Sequence, residues 1–471
     1  MELMFEARTN LRGFDGKLRF IQCRPQVHPE PLLGPDGEGD GKGVSLYGSV
    51  LPDGGKLRMW YYAVPRSVEG VQDGNAVAYA ESDNGIDWHK PDLRVPGHVA
   101  NLTNLGMHSA TVFIDPDSPA SHRYRATGRT KRKGHGMCHH VKQDGYFTAH
   151  SADGWNWKLD SDEPRWKAGD VITSIYHPGR RSGLVAMKYG PRWMRMKRRC
   201  IHTAVFQNGA YSDDVSALYP DEFDDQCAAM RGFHSCDYYG MGMLPAGRAT
   251  VGFVWKFWHE LPYTNSEGSS GRGLYGTSDV GLVYQSDPGG RWMHLPGRPV
   301  FIDRESLPWT RGWINTAANV VEVGDDHRLY FSGRVNPHGH GLDERWKPKA
   351  DANTTFKGSG ITFAHWPKWR LFGFESMPEG RLQISLGRLA APAGLALNYE
   401  TTSPDGCIRV QLARKDGILH DFNDCEPLTG SALAGPVRWR KASVIPAGDD
   451  VSVCLDMRHA RVYAYELTLA G

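Results

Sequence analysis

Residues 281–292 read GLVYQSDPGGRW, and this stretch holds the pattern that decides the fold. A short strand leads to Ser286, a turn rich in Asp, Pro and Gly follows, and Trp292 ends the segment six residues after the serine. The pattern recurs in AVAYAESDNGIDW at 76–88 and YFTAHSADGWNW at 146–157, and weaker copies end at Leu218 and Trp369. The copies lie roughly 60–80 residues apart, a spacing that suits one four-stranded blade of a β-propeller. The repeated Ser, Asp and Trp side chains are interpreted as turn and packing groups.

A second pattern precedes each copy: an apolar strand, a turn of Gly, Pro or Asp, and another apolar strand. Its five instances span 45–63, 109–127, 173–189, 238–255 and 315–333. Five hairpins with four or five blade endings predict five blades over about residues 40–370. Long helical periodicity is absent there, so the predicted fold class is all-β.

The spacing of the predicted strands changes after Trp369. Short strands at regular spacing follow, among them LQISLGRL at 382–389, IRVQLAR at 408–414 and VSVCLDM at 451–457. This spacing is typical of a β-sandwich. The sequence therefore predicts a five-bladed propeller catalytic domain over residues 1–370, followed by a β-sandwich domain over 371–471.

Composition excludes several classes of partner. Lys and Arg number 55 against 53 Asp and Glu, a net charge of +2, which argues against nucleic acid. No apolar run reaches the length of a membrane span, and the N-terminus lacks the pattern of a signal peptide. The 8 cysteines contain no CxxC pair and are typical of free thiols in a reducing compartment. We expect a cytoplasmic protein without a membrane partner.

The chain resembles the propeller-plus-sandwich enzymes of glycoside hydrolase family 32 and, more loosely, families 43, 68, 117 and 130. LRMWYYA with VAYAESDNGIDWHKPDL is similar to their first blade, FIDPDSPASHRYRA to their second, and FNDCEPLTG, VRWRK and ARVYAYEL to their terminal sandwich. The nucleophile, RDP and EC motifs of family 32 are absent in their usual form, and FIDPD stands in place of RDP only by analogy. The resemblance therefore implies a divergent glycoside hydrolase with a carbohydrate substrate.

Glycoside hydrolysis uses two carboxyl groups, and in propeller enzymes these lie where the innermost strands begin. Three candidates precede predicted inner hairpins: Asp40, Asp170 and Asp237. Asp40 in its Gly-rich loop has a turn-forming role as the alternative, and Asp170 a role at the strand start. Relatives often carry Glu at the position of Asp237, which implies a proton donor there. The acidic run 221–225 is expected to be a solvated loop.

Four further residues are predicted to contact substrate: His108, Trp258, Trp313 and His338. His108 and Trp313 precede or begin inner hairpins, Trp258 lies past a predicted strand, and an aromatic ring stacks well on a sugar. His338 lies in NPHGHG, and neither this segment nor HGMCHH has the spacing of a zinc site. No metal and no cofactor are expected.

Two basic tracts remain, TKRK at 130–133 and RWMRMKRR at 192–199. A solvated face or loop is the plain interpretation, and the functional one is recognition of an acidic sugar or of phosphate.

The leading hypothesis is a glycosidase acting on a furanoside or related oligosaccharide. A glycoside phosphorylase and a non-catalytic carbohydrate-binding propeller are the alternatives, and an exposed sandwich edge allows a homo-oligomer.

Overall fold

The computed structural model describes residues 1–3, 11–14, 17–66, 76–132, 136–167, 169–193, 196–260, 275–339 and 358–469. Four short strands open the chain: β1 (Glu2–Leu3), β2 (Leu11–Phe14), β3 (Leu18–Gln22) and β4 (Gln26–Val27). Among the described residues, all strand pairs are antiparallel except one isolated parallel bridge between Met243 and Asn319. The described residues therefore form an all-β protein, as predicted.

Five sheets follow one another along the chain as blades. Blade I contains β5 (Gly43–Asp53), β6 (Lys56–Val64) and β7 (Ala76–Ser82). Blade II contains β8 (His108–Ile114), β9 (Tyr124–Thr130), β10 (Gly145–Ser151) and β11 (Lys158–Leu159). Blade III contains β12 (Ile172–His177), β13 (Ser182–Tyr189), β16 (Cys200–Gln207), β17 (Ala210–Tyr211) and β18 (Val215–Leu218), with the small hairpin β14 (Arg192–Trp193) and β15 (Met196–Lys197) between β13 and β16. Blade IV contains β19 (Ser235–Ala246), β20 (Ala249–His259), β21 (Gly276–Gln285), β22 (Trp292–His294) and β23 (Val300–Ile302). Blade V contains β24 (Trp313–Thr316), β25 (Val321–Val323), β26 (Asp326–Arg334) and β27 (Gly360–Pro367).

The first strands of the blades close a ring around the centre. Each neighbouring pair is joined by a hydrogen bond that connects β5, β8, β12, β19 and the residues directly after β24. The five bonds run from Val112 N to Ser49 Oγ (2.9 Å), between Thr111 Oγ1 and Ser174 Oγ (3.0 Å), from Thr173 Oγ1 to the Met241 carbonyl (2.6 Å), from Met243 N to the Ala318 carbonyl (2.7 Å) and from Ala318 N to the Gly48 carbonyl (2.8 Å). Small and hydroxyl-bearing residues let the five inner strands approach this closely.

The structure also contains all five predicted hairpins, one in each blade.

The N-terminal strand β4 completes blade V. It pairs with β27, and Leu33 forms a further bridge with Ile361. The outer edge of the last blade is thereby covered by the start of the chain, which leaves fewer unpaired backbone groups at a sheet edge.

The turn of the blade-ending repeat accepts hydrogen bonds from a neighbouring blade. Ser151 Oγ accepts the Gly154 amide (3.0 Å), and the Gly154 carbonyl accepts the indole N–H of Trp157 (2.9 Å) and of Trp60 from blade I (2.6 Å). The Gly85 carbonyl of blade I likewise accepts the Tyr330 hydroxyl of blade V (2.6 Å). The repeat therefore joins consecutive blades.

The C-terminal strands form a sandwich of two sheets. Its strands are β28 (Phe372–Ser376), β29 (Glu379–Leu389), β30 (Ala393–Thr401), β31 (Cys407–Arg414), β32 (Gly417–His420), β33 (Ser431–Pro436), β34 (Gly448–Arg458) and β35 (Ala460–Leu469). One sheet has the order β3-β28-β35-β30-β33 with β1 beside β35, and the other has the order β2-β29-β34-β31-β32. The N-terminal strands β1, β2 and β3 thus lie in the sandwich, and the predicted division of the chain at residue 370 stays a prediction.

One α-helix, α1 (Glu222–Met230), lies between blades III and IV in the described residues. Asp221 caps its N-terminus, and the buried Asp224 accepts hydrogen bonds from Tyr238 and Arg298. The prediction of a solvated loop over 221–225 is therefore wrong, because the acidic residues cap the helix and tie it to blade IV. The described helices include none that is long and apolar enough to cross a membrane. The 8 cysteines all lie in the described ranges and form no disulfide.

Candidate active site in the central funnel

Asp170 lies two residues before β12, at the end of the propeller where the first strands β8, β12 and β19 begin. The space bordered by Asp170, His108, Tyr239 and Trp313 at this end is called the funnel. Its Oδ2 accepts Lys188 Nζ from β13 at 2.5 Å and the Tyr239 hydroxyl from β19 at 3.0 Å. Its Oδ1 lies 3.3 Å from Nε2 of His108, the first residue of β8. Three successive blades thus supply groups around one carboxylate, because β8, β12 and β19 begin, and β13 ends, at this end of the propeller.

The charge state of Asp170 follows from these neighbours. Burial alone would raise its pKa, but the ammonium group of Lys188 and the imidazole of His108 outweigh burial and hold the pKa well below the usual range. The side chain is nevertheless 37% exposed. Asp170 is therefore an ionised carboxylate that a ligand in the funnel can reach.

Aromatic rings form the wall beside Asp170. The ring of Tyr239 lies 4.9 Å from that of Trp313, and its hydroxyl lies 2.8 Å from His338 Nε2. Lys188 Nζ lies 3.5 Å from the Tyr239 ring centroid. Burial and the charge of Asp170 raise the pKa of Tyr239 well above its usual range, so its phenol keeps its proton.

Blades I and V complete this wall. Tyr47 and Tyr62 place their rings 5.5 Å and 5.6 Å from the ring of His108. Arg334, the last residue of β26, lies 5.6 Å from the centre of the Trp313 ring system. All five blades therefore contribute side chains to the cluster.

Asp237 lies in a buried ion cluster next to this wall. Its carboxylate accepts Arg198 Nε at 2.8 Å and Arg199 Nη1 at 3.1 Å, and it lies 3.0 Å from His259 Nε2. Asp237 itself is 0% exposed. Burial would raise its pKa, but His259, Arg199 and Arg198 hold the pKa well below the usual range. This environment keeps Asp237 ionised, which does not suit the proton-donor role expected for it.

Arg199 connects the buried cluster to the funnel wall. Its guanidinium lies 5.5 Å from the Tyr239 ring centroid and 4.7 Å from that of Phe257. Arg198 reaches the other way and forms a two-pronged contact with Asp225 of α1 (2.9 and 3.1 Å). These two arginines end the basic tract 192–199, and at 9% and 7% exposure they lie inside the protein rather than on a solvated face.

Two predicted site residues lie apart from this cluster. Asp40 is 0% exposed; its carboxylate accepts the Tyr61 hydroxyl (2.7 Å) and Lys90 Nζ (2.6 Å), which ties the loop before β5 to blade I. Trp258 is 1% exposed and donates its indole N–H to Asp279 at 2.7 Å. It packs against Phe233 rather than at the funnel rim. Asp170, His108, Trp313 and His338 are the predicted residues that the structure brings together.

Several residues of the cluster were not predicted. Lys188, Tyr239, Arg199, Arg334 and Tyr47 all belong to it. Lys188 is the next-to-last residue of the predicted hairpin 173–189. Its amide donates to the Val171 carbonyl (2.8 Å), so the antiparallel register already places it beside Asp170. Tyr239 follows Asp237 by two positions, which is the signal for the same side of a strand.

No group of three or more His, Cys, Asp or Glu side chains able to hold a metal ion occurs among the described residues. The candidate site consists of one accessible carboxylate, two histidines, several cations and a wall of aromatic rings. Such a combination can bind a polar ring compound and hold an ionised carboxylate against it.

Comparison with known proteins adds fold neighbours only. No protein-family model and no curated protein matches the chain. Among solved structures, a thermostable family-43 glycoside hydrolase has a TM-score of 0.43 at 11% identity, covering 69% of this chain and 88% of its own. A fructofuranosidase from Schwanniomyces occidentalis in complex with fructosylnystose has a TM-score of 0.39 at 8% identity, covering 96% and 99%. A structure described as belonging to the family 130 mannoside phosphorylases, which contain glycoside hydrolases that target β-1,2 mannosidic linkages, has a TM-score of 0.43 at 12% identity, covering 78% and 97%.

Proposed function

We propose that the protein is an enzyme that cleaves a glycosidic bond in the central funnel, with Asp170 as the catalytic base or nucleophile. The observation that carries this proposal is the state of Asp170: ionised, accessible, and held by Lys188, His108 and Tyr239 from three blades. Glycoside cleavage needs a carboxylate in this state facing the anomeric carbon or its attacking water. The aromatic wall offers a sugar ring an apolar face to pack against.

The reaction also needs a proton for the leaving oxygen. We assign this role to His338, whose Nε2 lies 2.8 Å from the Tyr239 hydroxyl and whose imidazole is only partly buried. A histidine can carry a proton near neutral pH. Asp237 is a weaker candidate, since it is enclosed by Arg198, Arg199 and His259.

A second candidate function, phosphorolysis, is favoured by the cations of the same wall. Lys188, Arg199 and Arg334 all lie within 6 Å of the Tyr239 or Trp313 ring, and guanidinium and ammonium groups are the usual partners of phosphate. Phosphate would then attack the anomeric carbon in place of water. The bond from that carbon to the aglycone oxygen would break, the aglycone would take a proton and leave as an alcohol, and the sugar would be released as a sugar phosphate.

The test is turnover of a glycoside panel with and without inorganic phosphate. Furanosides come first, because the sequence resemblance indicates them, and pyranosides follow. We expect release of free sugar by the wild type and a loss of about 10³-fold or more in Asp170→Asn. Asp117→Asn is the matched control, since Asp117 is an exposed carboxylate that pairs with Arg181 at the surface, and it should retain full activity.

The outcomes separate the candidate functions. Turnover that requires phosphate and yields a sugar phosphate supports phosphorolysis. Sugar binding without turnover across the panel contradicts an enzymatic function and supports a carbohydrate-binding propeller. Equal activity of Asp170→Asn and the wild type removes Asp170 from the mechanism.

A further inference from the structure

The hydroxyl of Tyr239 lies between the two groups to which the proposed function gives opposite roles. It lies 3.0 Å from Asp170 Oδ2 and 2.8 Å from His338 Nε2. A phenol carries a single proton, so it can donate to only one of these two atoms. The direction of the two hydrogen bonds therefore decides which nitrogen of His338 carries a proton.

Asp170 sets this direction. Its Oδ2 also accepts Lys188 Nζ at 2.5 Å, and the ammonium group keeps the carboxylate ionised by lowering its pKa. An ionised carboxylate accepts hydrogen bonds and donates none. If the Tyr239 proton pointed to His338, the phenol oxygen would turn its lone pairs toward a charged oxygen 3.0 Å away. Tyr239 therefore donates to Asp170, and its oxygen is left as an acceptor for His338.

The imidazole of His338 is held in place to donate to that oxygen. The backbone of His338 exchanges two hydrogen bonds with Gly276 of β21, at 2.9 and 3.2 Å. The rings of Trp313 and Phe257 lie 5.1 Å and 5.5 Å from the imidazole ring. Backbone and rings together fix the edge of the imidazole that carries Nε2 against Tyr239. Nδ1, on the other edge, is then the nitrogen that gains and loses a proton.

We infer that Tyr239 is a positioning residue, which holds His338 with a proton on Nε2 so that Nδ1 supplies the proton for the leaving oxygen. This inference rests on the proposed function, in which His338 is the proton donor. The bond from the anomeric carbon to the aglycone oxygen breaks, and that oxygen takes the bonding electron pair and the Nδ1 proton. The imidazole keeps its Nε2 proton, and Nδ1 regains a proton from solvent before the next turnover.

The same two hydrogen bonds connect the charge of Asp170 to His338. An imidazolium donates more strongly to the Tyr239 oxygen than a neutral imidazole does, and the bond to Asp170 polarises that oxygen. The link therefore favours the protonated form of His338. Other charged or titratable groups near these rings are Lys188 (3.5 Å from the Tyr239 ring centroid), Arg199 (5.5 Å from that centroid and 3.1 Å from Asp237), Arg334 (5.6 Å from the Trp313 ring) and His259 (4.7 Å from the Phe257 ring).

The experiment is long-range proton–nitrogen NMR spectroscopy of the full chain with nitrogen-15-labelled histidine, recorded between about pH 6 and 9. The signals of His338 are identified by their absence in His338→Gln. We expect neutral His338 to be the Nε2–H tautomer in the wild type. In Tyr239→Phe the Nδ1–H tautomer should appear as well, and the midpoint of protonation should fall by about 0.5–1 pH unit. Tyr219→Phe is the matched control, since the Tyr219 hydroxyl lies 3.2 Å from Nε2 of a different histidine, His202, and it should leave His338 unchanged.

The pH profile of kcat/KM gives a second readout. In Tyr239→Phe the alkaline limb should move to lower pH by the same amount, because His338 loses the acceptor that favours its charged form. The acid limb should move to higher pH, since Asp170 loses a donor. A phenol with a structural role only would lower activity without moving the alkaline limb.

Three results would overturn the inference. They are an Nδ1–H tautomer of neutral His338 in the wild type, an unchanged midpoint in folded Tyr239→Phe, and an equal shift in Tyr219→Phe. If Tyr239→Phe does not fold, the wild-type spectrum alone still decides the direction of the hydrogen bonds. The spectra need no turnover, so a failure of glycoside cleavage removes the proposed function and leaves the tautomer of His338 measurable.

Discussion

Lys188 Nζ lies 2.5 Å from Asp170 Oδ2 and 3.5 Å from the centre of the Tyr239 ring, so one ammonium group contacts both the carboxylate and the aromatic wall of the funnel. Lys188 is 7% exposed at its side chain. A buried cation at this distance favours the ionised carboxylate strongly. Lys188 is therefore a positioning residue for Asp170.

The first prediction concerns the pH profile of Lys188→Met. Without the ammonium group the pKa of Asp170 rises, because burial is no longer outweighed to the same extent. The acid limb of kcat/KM against pH should therefore move to higher pH, while the alkaline limb stays in place. Lys56→Met is the control, since Lys56 pairs with Glu81 at the surface. An acid limb that does not move in Lys188→Met would argue against Asp170 as the titrating group.

The second prediction is a loss of stability in Asp237→Asn. The substitution leaves the buried guanidinium groups of Arg198 and Arg199 without their shared carboxylate. Removing one partner of such a buried cluster costs about 3–5 kcal/mol, which urea denaturation can measure. The exposed Asp213, paired with Arg165, gives the control Asp213→Asn, which should change the free energy of unfolding by no more than about 0.5 kcal/mol. Equal stability of the two variants would contradict the buried cluster.

The third prediction is acid sensitivity of the fold. The folded-state pKa of Asp237 lies below the value of about 3.9 that an unfolded Asp has. The group therefore contributes stability that is fully present well above pH 4 and is lost as the pH falls below 4 toward the folded pKa. The contribution of Asp237, measured as the difference in free energy of unfolding between the wild type and Asp237→Asn, should stay nearly constant from pH 7 to 5 and shrink at pH 4 and 3. Asp237→Asn should show a shallower fall, and an equally steep one would assign the acid sensitivity to other carboxylates.

The fourth prediction tests His338 as the proton donor. A leaving group of low pKa departs without protonation, so His338→Ala should lose about 10²–10⁴-fold in activity on alkyl glycosides but far less on nitrophenyl glycosides. His108→Ala is the comparison, because His108 contacts Asp170 rather than the Tyr239–His338 pair. It should lower activity to a similar degree for both leaving groups. A uniform loss in His338→Ala would leave that residue in a binding role only.

The sequence predicted this architecture well because turns and alternating strands are local signals. The Ser-to-Trp spacing located blade endings, and the five hairpins followed from apolar strands around short turns. Asp170 was chosen as a candidate for the same reason, since it lies two residues before a hairpin strand. The N-terminal strands were missed, because β3 and β4 are short and pair with partners more than 300 residues away.

The surroundings of the site were harder to predict. Phe257 and Trp258 are adjacent in β20 and so lie on opposite faces of the sheet, but the sequence does not show which of them faces the funnel. In the structure Phe257 lies beside Trp313, with 5.6 Å between the ring centroids, and Trp258 bonds Asp279. Arg199 lies in a basic tract that resembles a solvated loop until its carboxylate partner, 38 positions later, is seen. Contacts between strands and between blades form only when the ring of blades closes. The sequence around one residue therefore does not show which distant residue it will contact.

The last prediction returns to the blade-ending turn. Gly154 and Gly289 both lie three residues after the repeat serine, and both have positive φ, 94° and 75°. A Cβ on Gly154 would lie 2.8 Å from Cζ2 of the buried Trp60, whereas one on Gly289 would meet nothing within 4 Å. Replacing either glycine with alanine strains the backbone, but only Gly154→Ala also displaces the ring whose N–H bonds the Gly154 carbonyl at 2.6 Å. Gly154→Ala should therefore lower the free energy of unfolding by about 1–3 kcal/mol more than Gly289→Ala, as measured by urea denaturation. Equal losses would show that the turn needs glycine for its backbone angles alone and not for the contact between blades I and II.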